Sequence, residues 1–173
     1  MRGDRRLGVA LATITTMAML GLVINNIGNV GSSIAPSELR IDPESERLLH
    51  QHFQQGVAML RAGHFEYAVQ SLHEVLAAKP EMPEAHVNMG FALLGLQSHA
   101  AARDFFQTAI ELRPGQYNAY WGLAVASEKA GDIPEAIGAM KTYLHLAPAD
   151  DSFRRKAEAA IWEWESTAAE AEP

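Results

Sequence analysis

Three prolines, Pro80, Pro114 and Pro148, stand 34 residues apart. Each closes a similar phrase: Val75-Leu76-Ala77-Ala78-Lys79-Pro80, Ala109-Ile110-Glu111-Leu112-Arg113-Pro114 and Tyr143-Leu144-His145-Leu146-Ala147-Pro148. In each, an apolar turn runs into a residue that cannot continue a helix interior and that restricts the residue before it. A unit of this length cannot bury an apolar face alone, so recurring units stack on their neighbours. This period constrains the chain more than any bulk property does.

Counting back from the prolines frames three repeats, 49–82, 83–116 and 117–150. The eighth position is small in all three (Gly56, Gly90, Ala124), and the twentieth is alanine (Ala68, Ala102, Ala136). The twenty-fourth is large and apolar (Leu72, Phe106, Met140), and the fourth holds a ring (His52, His86, Tyr120). In this frame the chain resembles the tetratricopeptide-repeat (TPR) family. That family has two antiparallel helices per repeat, with small residues where they cross. The seventh and twenty-seventh positions depart in part: Gln55 replaces the usual leucine, and Val75 and Tyr143 replace the usual alanine. The resemblance implies an all-α solenoid of three helix-turn-helix repeats within 47–150.

After Pro148, Phe153, Ala157, Ala160, Ile161 and Trp164 recur at helical spacing. They suggest a capping helix over 151–167 that covers the last repeat, followed by a short acidic tail, 168–173. Trp162 lies off that face, as a solvent-side anchor for a partner would.

The resemblance also implies a concave groove lined by the first helix of each pair. By position it assigns Phe53 and Val57 in the first repeat, Val87, Asn88, Phe91 and Leu94 in the second, and Trp121 and Val125 in the third. Aromatic anchors in an apolar channel suit an amphipathic helix or an extended apolar peptide from another protein. The competing reading places some of these rings in the core. Family members that hold the acidic tails of heat-shock chaperones use basic groove residues, because a carboxylate requires charge-assisted donors. The corresponding places here hold Phe53, Asn118 and Gly122, which argues against such a ligand.

The N-terminus has a different character. A basic stub, 1–6, carries Arg2, Arg5 and Arg6 against Asp4. No charge follows from Leu7 to Ile24, a run of 18 residues. With the next few uncharged residues this approaches the roughly 20 that span a bilayer, so 7–27 is expected to be a transmembrane anchor. The arginines would keep the N-terminus in the cytoplasm and send the rest across. In a bacterial inner membrane that places the repeats in the periplasm. A cleaved signal peptide competes, but its best site, Ser33-Ile34-Ala35, is followed by an obstructing Pro36. A buried core helix is the other alternative. Residues 28–46, rich in Gly, Ser and Pro, read as a linker.

The rest of the composition narrows the function. The net charge is -7 and there are 14 basic residues against 21 acidic, which disfavours a nucleic-acid partner. There is no cysteine, hence no disulfide, thiol nucleophile or Cys-bound zinc. The seven histidines show no metal-ligand motif, and no phosphate loop or nucleophile elbow is present. No catalytic residue, metal or cofactor is expected. The expected role is a membrane-anchored protein-interaction module: an adaptor or assembly factor for membrane or periplasmic clients, of the kind seen in cytochrome c maturation or envelope assembly. The alternative is a permanent accessory subunit whose transmembrane helix forms part of the interface.

Overall fold

A computed structural model describes residues 42–171. The basic stub, the expected membrane anchor and most of the linker lie outside the described residues. Among the described residues, no helix is long and apolar enough to cross a membrane.

The described residues form seven helices in order: α1 Pro43–Arg61, α2 Phe65–Ala78, α3 Pro83–Gly95, α4 His99–Leu112, α5 Tyr117–Ala130, α6 Ile133–Leu146 and α7 Arg154–Ala171. From α2 onward each helix packs on the next, and α3 also touches α5. That pattern is the one a solenoid of stacked helix pairs requires. Helix α1 starts earlier than its linker-like sequence suggests. Pro43 is pre-organised for a first turn, and Glu44 and Glu46 oppose the helix dipole there. At the other end, α7 starts at Arg154 and runs on through the expected tail to Ala171, over a stretch rich in the best helix former, alanine.

The turn inside each pair repeats to the atom. The N–H groups of Gly63, Gln97 and Gly131 donate three residues back, at 3.0–3.1 Å. The next N–H groups, on His64, Ser98 and Asp132, donate five residues back at 2.9 Å. This pairing closes a helix around a left-handed residue, and the three φ angles are 77°, 59° and 84°. Between pairs, the prolines end α2, α4 and α6, where the N–H groups of Lys79, Arg113 and Ala147 donate to the carbonyls of Val75, Ala109 and Tyr143 in the last turn.

The helix crossings explain the small residues. Ala68, Ala102 and Ala136 are fully buried, as are Leu72, Phe106 and Met140. A methyl group added at Gly56 would come within 2.8 Å of Leu72 Cγ, and one at Gly90 within 2.7 Å of Phe106 Cε1. The glycines therefore let the first helix of a pair rest on the large side chain of the second. Phe106 also reaches forward to Gly122 in the next repeat, so one ring joins repeats two and three. A polar cluster reinforces the same junction. The fully buried Ser127 donates its hydroxyl to Glu135 Oε2 at 2.6 Å. Arg103 Nη1 approaches the same oxygen at 3.3 Å, and Gln107 donates to Oε1 at 3.1 Å. Three helices, α4, α5 and α6, are thereby tied through one carboxylate.

Candidate partner-binding groove

Two adjoining cavities lie on the side of the solenoid built by α3, α5 and α7. Phe91 and Trp121 line both of them. The first has a volume of about 400 Å³ and is completed by Tyr117, Asn118, Tyr143, Asp151 and Phe153. The second, of about 440 Å³, is lined by Leu94, Val125 and Met140 and by one face of α7 that includes Lys156, Ala160 and Trp164. Helix α7 therefore forms a wall of the groove as well as capping the last repeat.

Helical spacing accounts for the common wall. Phe91 and Leu94 are three apart on α3, and Trp121 and Val125 four apart on α5, so each pair shares a face. Phe91 meets Phe106 edge-on with centroids 5.0 Å apart. Trp121 meets Tyr143 at 5.2 Å and Phe153 at 5.4 Å, both edge-to-face. The Lys156 ammonium stands 5.6 Å from the Trp121 ring centroid, where the ring quadrupole attracts a cation.

Of the eight residues expected in the groove, Phe91, Leu94, Trp121 and Val125 come together here. The other four do not join them. Val87 is only 2% exposed and packs in the core, so it has no surface to offer. Asn88 turns its amide to the carbonyl of Glu84 on its own helix, at 2.7 Å. Phe53 lines a separate, smaller cavity with Leu49, His50, Val75 and Met82, and Val57 is half-buried on α1. The two histidines at the fourth position also differ. His86 is buried, stacks near Phe105 and donates from Nε2 to the Pro80 carbonyl at 2.7 Å. His52 stays partly exposed, with Nδ1 2.5 Å from Glu74.

In the first cavity four lining residues escaped the sequence reading: Tyr117, Tyr143, Asp151 and Phe153. Phe153 was grouped with the capping face, yet it precedes α7 and is 53% exposed. Its place is set by Asp151, whose Oδ1 accepts the Phe153 N–H at 2.8 Å and the Tyr143 hydroxyl at 2.5 Å. Burial, and then the bond to Asp151, push the Tyr143 phenol well above its usual range. The same hydroxyl, then the Phe153 N–H, hold the Asp151 carboxyl below the usual carboxylate range. The one available signal was Tyr143 itself, a large ring where the repeat pattern expects alanine. Among the described residues no cluster suited to a metal ion occurs.

Two family models, both for the tetratricopeptide repeat, match residues 53–117 and 93–161. Together they cover well over half of the chain. The chain belongs to the tetratricopeptide-repeat family. No curated protein sequence matches it. Among solved structures, the Yersinia enterocolitica type III secretion translocator chaperone SycD superposes with a TM-score of 0.68 at 11% identity, covering 75% of this chain and 89% of that one. PcrH in complex with the chaperone binding region of PopD gives 0.68 at 15% identity, covering 75% and 99%. The TPR2B domain of yeast Sti1, in its pHsp70 complex, gives 0.65 at 19% identity, covering 70% and 98%. At these identities the likeness is one of fold. In this TPR chain the second cavity is walled by the last helix, and aromatic side chains line both.

Proposed function

We propose that this TPR protein is a membrane-tethered adaptor or assembly factor, with residues 7–27 as the tether and the groove around Trp121 as the client site. The observation that carries this reading is the pair of apolar cavities sharing Phe91 and Trp121. Solved relatives of the fold were captured with segments of other proteins, in PcrH with part of PopD and in Sti1 with pHsp70, which supports a protein segment as occupant. The basic stub before an uncharged run supports a single-pass topology with the repeats on the periplasmic face of an inner membrane. A tether of this kind raises the effective concentration for clients on the same bilayer.

A second reading has its own observation. Ala10, Ala12, Ala18 and Gly21 leave the expected membrane helix with small residues that let another helix approach closely. On that reading the chain is a permanent subunit of a membrane complex.

Gentle solubilisation and pull-down, followed by mass spectrometry, separates the two readings when the full-length chain is compared with residues 36–173. Recovery of the same client by both identifies the groove as the recognition element. Recovery by the full-length chain alone makes the membrane segment part of the interface. Recovery of none by either would overturn the adaptor reading. A reporter fused after Pro173 tests the periplasmic placement: activity on the cytoplasmic side would overturn it.

A further inference from the structure

We propose that the cavity between Phe91, Tyr117, Trp121 and Phe153 is a subsite for a basic side chain, arginine or lysine, of the bound client. The inference rests on reading the groove as the client site, and it specifies the chemistry at one end of it. Aromatic walls alone would take any apolar group. This cavity differs in carrying one carboxylate, Asp151, and no lysine or arginine in its lining. Two protein donors, the Tyr143 hydroxyl and the Phe153 N–H, both engage Oδ1, so the group is anchored in place. Its negative charge is maintained at neutral pH, as those same bonds favour the ionised form. The nearest cation in sequence, Arg154, acts on Asp151 only as a nearby charge, the weakest of the influences on that carboxyl, and directs Nη1 to the Leu144 and Ala147 carbonyls at 2.7 and 3.0 Å.

Aromatic rings and a fixed anion are together what a desolvated ammonium or guanidinium requires: π faces for the cation and a carboxylate for its hydrogen bonds. Trp121 already draws a cation, Lys156, on the side of the second cavity. About 400 Å³ is ample for one such side chain. The subsite also disfavours an acidic tail, whose carboxylates would meet Asp151.

The test uses the full-length chain in detergent micelles, labelled with 5-fluorotryptophan at its three tryptophans. It is titrated with the N-acetyl N-methylamides of arginine, lysine, norleucine and glutamate, while the Trp121 resonance is followed. Trp162, 73% exposed, serves as the internal reference. The arginine and lysine probes are expected to shift Trp121 saturably. Asp151→Asn, which keeps an acceptor for both donors, should weaken them about three- to fivefold, and added salt should do the same to the native chain only. An equal response to norleucine, unaffected by Asp151→Asn, would leave an apolar client groove and overturn the cation subsite. Preference for glutamate would overturn it in favour of an acidic client. Silence to all four would remove this cavity from the client surface altogether.

Discussion

The Phe106 ring lies directly against Gly122 of the following repeat, so that a methyl group built on that glycine would overlap the ring's Cε1 and Cζ atoms. A glycine inside a helix is normally a weakness, and replacing it with alanine gains roughly 0.5–1 kcal/mol. At Gly122 the clash should outweigh this gain, because Phe106 is fully buried and has no room to retreat. Overpacking of this kind costs about 1–3 kcal/mol. Gly122→Ala is therefore expected to lower the thermal midpoint. Gly138→Ala, with nothing within 4 Å of its added methyl, should raise it. Phe106→Leu in the Gly122→Ala background should recover part of the loss; no recovery would mean the ring is not what the methyl meets.

Gln97 holds the left-handed turn position that Gly63 and Gly131 hold in the other repeats, with φ of 59°. A side chain there costs roughly 1–2 kcal/mol, and glycine's extra freedom in the unfolded chain returns some of that. Gln97→Gly should stabilise the domain by a net of about 0.5–1 kcal/mol in denaturant unfolding, with an unchanged slope. Gly131→Gln should lose about as much. Equal midpoints for all three chains would show that the turn relaxes freely.

Those turns illustrate what can be read ahead of a structure. The period, the crossing alanines and the glycine seats depend on residue size at fixed spacing, so Ala102 and Phe106 declared themselves. The groove depends on which way a partly buried side chain turns, and spacing alone does not settle that. Val87 was expected on the groove wall because its position number is right, but it faces inward. Asn88 spends its amide on its own helix. Asp151 and Phe153 lie in a loop outside the repeat frame, and their role depends on the Tyr143 hydroxyl, separated from Asp151 in sequence but only 2.5 Å from its Oδ1 in space.

The Tyr143–Asp151 bond should leave a signature in pH. The folded-state phenol is raised above its ordinary value of 10.0. The unfolded chain therefore loses that proton first, and stability present below pH 10 should fall as pH rises past it. Asp151 acts in the opposite sense. Its folded value lies below the ordinary 3.8, so its contribution is present above that pH and is lost on acidification. Tyr143→Phe should cost about 1 kcal/mol at neutral pH for the lost hydrogen bond and flatten the alkaline decline. Unfolding curves between pH 3 and pH 11 would check both limbs. A decline equally steep in the variant would assign it to other groups.

The separation of Phe53 from Trp121 allows the client site to be located without knowing the client. Trp121 borders both groove cavities, whereas Phe53 sits in its own, beside Leu49 and Met82. Trp121→Ala should reduce client capture at least tenfold, since a central aromatic anchor is commonly worth 2 kcal/mol or more. It should also cost some stability, because the ring packs on Tyr143 and Phe153. Phe53→Ala should cost comparable stability, as that ring packs against the core of α2 and α3, yet leave capture intact. Ala102→Glu, at a fully buried crossing, should unfold the domain and marks what loss of fold does to capture. If Phe53→Ala lowers capture as much as Trp121→Ala at matched stability, the client extends along all three repeats and the groove is longer than the two cavities around Trp121.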